Sequence, residues 1–159
     1  MKKTLRLVIG LWSLACVARA EPIDALIGTW VSPDGSARQS YQRELDGTWI
    51  RVESRFKVDG EWQLVGVGGL YRKPGEEAWL GVSRTTDMSG FELFETRLTP
   101  TEAGGYDVRN LATQADGTQV ETFEEWRFKG PDRIEYTIHM IAEGESKPFM
   151  TGVWVRATD

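Results

Sequence analysis

Four Asp-Gly pairs punctuate this chain, at Asp34-Gly35, Asp46-Gly47, Asp59-Gly60 and Asp116-Gly117, and short alternating apolar and polar runs flank each one. Asp-Gly suits a tight hairpin turn because both central residues need positive φ, which glycine adopts freely and aspartate tolerates. Four such signals commit the chain to antiparallel neighbours. The other joints read as longer loops at 73–76, 85–90, 100–105, 130–132 and 143–147. Beyond a short lead-in at 23–27, no stretch of helix length repeats its apolar residues with a helical period. The spacing therefore predicts an all-β fold, a single antiparallel up-and-down β-barrel of about 8–10 strands, which leaves no bare sheet edge.

The first twenty residues stand apart from this rhythm. Lys2, Lys3 and Arg6 precede an apolar run at 7–17, and Ala18-Arg19-Ala20 gives a small-x-small site before Glu21-Pro22. That order is a signal peptide with cleavage after Ala20, since the apolar run is too short for a membrane span. The predicted organisation is a signal peptide at 1–20 and one barrel domain at 21–159, periplasmic or secreted, with no membrane span in the mature chain. Removing Lys2, Lys3, Arg6 and Arg19 from 19 basic residues leaves 15 against 24 acidic ones, a formal charge of −9. Such an acidic surface repels phosphate backbones and excludes nucleic acid as a partner. The one cysteine, Cys16, leaves with the signal, so disulfide and thiol chemistry leave too.

If each Asp-Gly pair is a two-residue loop, counting gives the register. Tyr41 then opposes Val52, Arg38 opposes Arg55, Phe56 opposes Gln63, Ser54 opposes Val65 and Val52 opposes Val67. One face collects Trp30, Tyr41, Ile50, Val52, Phe56, Val65, Val67 and Tyr71, and is assigned to the interior. The other carries Trp49, Arg51, Glu53, Arg55 and Lys57 beside Leu64, Gly66 and Gly68, and reads as a solvated wall with charges paired across strands. A second arrangement stays open, in which the charged set points inward and another subunit covers the apolar set. The oligomeric state is accordingly monomer or homodimer.

The same count at Asp116-Gly117 sets Arg109 opposite Glu124, on one face with Leu111, Val120, Trp126 and Phe128. An ion pair on a cavity wall costs several kcal/mol of desolvation unless both partners are hydrogen-bonded. Such a pair would orient a polar group of a ligand or prepare Glu124 as an acid or base; a place at the wet rim is the bland alternative. Further on, Ile134, Tyr136, Ile138 and Met140 alternate inward, with Arg133, Glu135, Thr137 and His139 outward.

Two short phrases frame the barrel: Gly28-Thr29-Trp30 at its start and Trp154-Val155-Arg156 at its end. This pattern resembles the lipocalin-like, calycin-type barrels, most of all the small exported bacterial domains of that kind with no assigned function. Leu45-Asp46-Gly47-Thr48-Trp49 and Phe123-Glu124-Glu125-Trp126-Arg127-Phe128 share that group's character. The resemblance implies that Arg156 packs over Trp30 near Gly28 and plugs one end, leaving a central cavity entered from the other. It implies no reaction, because the fold hosts carriers, sensors and enzymes alike.

Chemistry-bearing motifs are few. No Gly-x-Ser-x-Gly elbow is present, and His139 is the only histidine. One histidine argues against a zinc site, and no carboxylates are spaced like a calcium loop. Nitrobindin-like barrels hold haem through a histidine near the final strand. Pro148-Phe149-Met150-Thr151 has none there, so haem is disfavoured and no cofactor is expected. Three functions stay open. The leading one is a binding protein for a small apolar or amphipathic molecule, with Tyr41, Trp126 and Tyr136 as walls and Arg109 and Glu124 as polar contacts. The second is an isomerase, cyclase or hydrolase using Glu124 as acid or base with Arg109 holding substrate. The third is an interaction module whose barrel is filled solid.

Overall fold

The computed structural model describes residues 22–86, 90–142 and 144–158; the signal-peptide expectation for 1–20 falls outside them. After a short 3-10 turn at Pro22–Ala25 come ten strands: β1 (Gly28–Val31), β2 (Ala37–Glu44), β3 (Trp49–Val58), β4 (Glu61–Tyr71), β5 (Trp79–Thr85), β6 (Phe91–Pro100), β7 (Gly105–Gln114), β8 (Gln119–Phe128), β9 (Arg133–Ala142) and β10 (Glu145–Arg156). Each strand pairs antiparallel with its neighbours in sequence. β1 also pairs with β10, closing an up-and-down barrel of ten strands.

Loop parity decides which way each strand faces. Asp59 and Gly60, both at positive φ, form a two-residue turn between Val58 and Glu61. At Asp34-Gly35 and Asp46-Gly47 the loops are longer, but both stay centred on the pair, so the register matches the two-residue count. Trp30 faces Gln39 and Tyr41 faces Val52. Asp116-Gly117 behaves differently. Gly117 N–H donates to the Gln114 carbonyl at 3.0 Å and Gln114 N–H to the Thr118 carbonyl at 2.9 Å. That is a three-residue loop, Ala115-Asp116-Gly117, with Gly117 at φ +85°. An odd loop slips the register by one and turns every side chain over. Val108 therefore faces Glu124, and Arg109 faces Phe123.

A second slip occurs inside β3 and β4. The count holds at Phe56 and Gln63, but a bulge between Ser54 and Arg55 brings Ser54 opposite Gly66 and Val52 opposite Gly68. Val67 and Tyr71, expected inside, consequently lie on the outer wall and are exposed. Gly66 and Gly68 share the inward side with Val52 instead of flanking the charged set. Gly69 is the outer glycine, and the Trp49 indole lies on it so closely that a Cβ there would sit 1.8 Å from the ring. Trp49 and Tyr71 then stack nearly parallel on the outside. Arg51, Glu53 and Arg55 form the solvated charged wall, with Glu53 bridging both arginines. The inward-pointing alternative for this set is thereby excluded.

Burial is concentrated at one end. Tyr41, Ile50, Leu70, Trp79, Leu98, Tyr106, Val108 and Ile134 meet there around Trp30, Ile23 and Leu26 of the 3-10 turn complete the plug, and Trp126 packs against it. Each fully buried aliphatic side chain contributes ~1.5–3 kcal/mol. Arg156 locks the plug. Its guanidinium lies 4.3 Å from the centroid of the Trp30 ring. It donates to the carbonyls of Ile27 (2.8 Å), Ala25 (2.9 Å) and Pro131 (3.0 Å). Trp30 Nε1 donates to the Leu26 carbonyl at 2.8 Å. Gly28 sits at φ +127°, where a Cβ would come within 2.6 Å of Arg156 Nη1.

Candidate functional site

Beyond the plug the interior turns polar. Inward positions on successive strands carry Gln39 and Tyr41 (β2), Thr96 (β6), Asn110 (β7), Thr122, Glu124 and Trp126 (β8), and Tyr136 (β9). The strand pairings bring them together: Thr96 faces Asn110, Asn110 faces Thr122, and Trp126 faces Tyr136. Among the described residues Asn110 is the one buried polar side chain.

A hydrogen-bonded relay runs across three strands. Thr96 Oγ1 donates to Asn110 Oδ1 at 2.8 Å. Asn110 Nδ2 donates to Glu124 Oε1 at 2.7 Å and more weakly to Thr122 Oγ1 at 3.4 Å. Trp126 Nε1 donates to Glu124 Oε2 at 2.8 Å. Glu124 thus has one neutral N–H donor on each oxygen, which fixes its carboxyl plane. No arginine, lysine or histidine among the described residues pairs with it. Burial pushes its carboxyl above the ordinary carboxylate range, and the bonds from Trp126 and Asn110 offset only part of that. The side chain nevertheless keeps some accessible surface, as do Thr122, Trp126 and Tyr136.

Two phenols share this environment. Tyr41 O–H donates to Gln39 Oε1 at 2.8 Å, and burial, then the charge of Glu124, raises its hydroxyl. Tyr136 is raised by burial, by Glu124 and by Asp34. Its ring lies over Gly152, where a Cβ would come within 2.3 Å of it, and stacks against Trp154 with centroids 6.1 Å apart.

Of the residues read from sequence as polar and aromatic contacts, Tyr41, Glu124, Trp126 and Tyr136 converge inside. Arg109 does not. The odd loop at 115–117 turns it outward, where it is 64% exposed, pairs with Glu121 at 3.2 Å and lies over the Phe123 ring. The expected Arg109–Glu124 pair is therefore replaced by Asn110–Glu124. Sequence reasoning missed Asn110 and Thr96. The available signal was the inward alternation Tyr106, Val108, Ala112, into which Asn110 falls and Arg109 does not.

A groove of about 440 Å³ runs along β4–β8 beside Arg109, with Tyr71, Leu80, Val82, Arg97 and Leu111 on its walls and Thr96 and Asn110 of the relay also lining it. His139 faces outward as expected, packed on Phe123 and 3.6 Å from Glu125. Among the described residues no group of three or more His, Cys, Asp or Glu side chains is placed to hold a metal ion. Comparison with family models finds no match to this chain, and comparison with curated proteins finds none either.

Proposed function

We propose that this chain is an exported barrel of the lipocalin-like kind. It holds a small, largely apolar or amphipathic molecule in its lumen, with Glu124 as the polar contact and Tyr41, Trp126 and Tyr136 as walls. One observation carries the reading: Thr122, Glu124, Trp126 and Tyr136 are only partly buried, whereas the side chains packed around Trp30, Tyr41 among them, are buried, as is Asn110 beside Glu124. A chain that plugs one end tightly and leaves polar groups oriented in the middle has the composition of a ligand site, apolar walls with a few fixed polar groups. Entry is from the end away from the plug.

Native mass spectrometry of the protein purified from its own cells tests this. A bound mass of a few hundred daltons is the expected result. A clean apo mass, together with no change in tryptophan fluorescence on titration with apolar probes, defeats the reading in favour of a filled barrel.

A second reading has its own observation. A carboxyl that holds its proton above the ordinary range is suited to general acid–base work. In this reading Asn110 and Trp126 position Glu124, and Arg109 takes no part. Glu124→Gln separates the two: an enzyme loses turnover, while a carrier still takes up the apolar part of its ligand.

A further inference from the structure

Glu124 presents an unsolved charge problem. Its carboxylate is held by two neutral N–H groups, which orient it without neutralising it. Directly across the strands stand Val108 and Ile138, both aliphatic. Ionised, the group sits in a poorly solvated lumen with no counter-ion, an arrangement that costs several kcal/mol unless a cation is supplied. Among the described residues none is supplied: Arg156 is committed to carbonyls at the plug, and Arg109 is outside. Close by are the indole of Trp126 and the ring of Tyr136, the kind of π faces that attract a cation. The whole chain is acidic, with a formal charge of −5, so its field draws cations in and repels anions.

We propose that the lumen binds an organic amine, its protonated ammonium head seated at the Glu124 carboxylate between Trp126 and Tyr136 and its apolar body along the aliphatic wall. This assignment rests on the lumen being the ligand site. An anionic head would meet like charge. A neutral head would leave the carboxylate without its counter-ion. The ionisable groups facing Glu124 are the phenols of Tyr41 and Tyr136, both of which keep their protons at neutral pH. Over the range in which Glu124 titrates, it alone among them changes charge. The ammonium of a primary alkylamine, like that of lysine, stays protonated to about pH 10.

The test is a calorimetric titration with three probes of equal chain length: n-octylamine, octan-1-ol and octanoate. Near pH 8 the amine is expected to bind at least about tenfold more tightly than the alcohol, and octanoate most weakly. Lowering the pH into the range in which Glu124 takes up its proton, which burial raises, is expected to bring the amine down toward the alcohol. Glu124→Gln is expected to erase the amine's advantage while the alcohol stays within about threefold. If that variant fails to fold, the pH series on the unaltered protein decides alone. An alcohol that matches the amine, an octanoate that exceeds it, or an amine advantage that survives Glu124→Gln overturns the amine assignment and leaves the ligand-holding barrel standing. Failure of all three probes to bind overturns both.

Discussion

Glu124 holds its proton more firmly in the fold than an exposed carboxylate does, and this gives the barrel's stability a direction with pH. In the unfolded chain the group ionises in the ordinary range near ~4.3; in the fold it ionises higher. Between those two values the folded state binds more protons than the unfolded state, so stability falls as pH rises. The stabilising contribution is complete below the unfolded pKa and is lost as pH rises through the folded one. Thermal melts at pH 5 and pH 8 should show this loss in the unaltered protein and a smaller one in Glu124→Gln. An equal loss in both would remove Glu124 from the account. Asn110 is the other decisive residue. Asn110→Ala leaves Thr96 Oγ1 and Glu124 Oε1 without their partners, and should cost about 1–3 kcal/mol in denaturant unfolding. Asp34 offers an exposed contrast. Bonds from Ser32 and Ser36 hold its carboxyl at about 2, so the Ser36 amide resonance should move only as pH falls toward that value.

Strands and turns explain how much of this was legible beforehand. The barrel class follows from the Asp-Gly rhythm, and three of the four turns give the right register because their loops are even in length and centred on the pair. The site was misread at the fourth. Ala115 joins Asp116 and Gly117 in the loop, and that single extra residue exchanged Asn110 for Arg109. Hydrophobic alternation gave a mixed signal on β7, because Leu111 is apolar and yet lies on the outer wall, facing Glu95 and Glu121. The bulge at Ser54 and Arg55 has no comparable mark in the sequence, since Val65 and Val67 are equally suited to either face. Arg109→Ala tests the corrected register. As an exposed side chain paired only at the surface, it should change stability by less than about 1 kcal/mol and leave lumenal binding within about twofold. A large loss of binding would return Arg109 to the interior.

At the scale of the whole molecule, the plug carries stability, and on the proposed reading the interior beyond it carries recognition. Arg156→Leu removes three carbonyl bonds and the cation over Trp30 in one step, and should cost about 2–4 kcal/mol in chemical unfolding. Gly28→Ala should be destabilising by about 1–3 kcal/mol, since it strains the backbone at φ +127° and displaces the same guanidinium. Arg156→Leu removes no contact of Glu124, Asn110 or Trp126, so retained ligand affinity in its folded fraction is expected; Gly28 pairs directly with Tyr41, so Gly28→Ala is read for stability alone. The bonds from Arg156 to Ile27 and Ala25 also span 129 and 131 residues of chain. Contacts that distant form late and slowly, because the intervening chain must already be ordered before they repay its entropy. During synthesis the barrel is therefore an open sheet with two bare edges until β10 arrives, and that interval is when the protein is most exposed to aggregation and most in need of a chaperone.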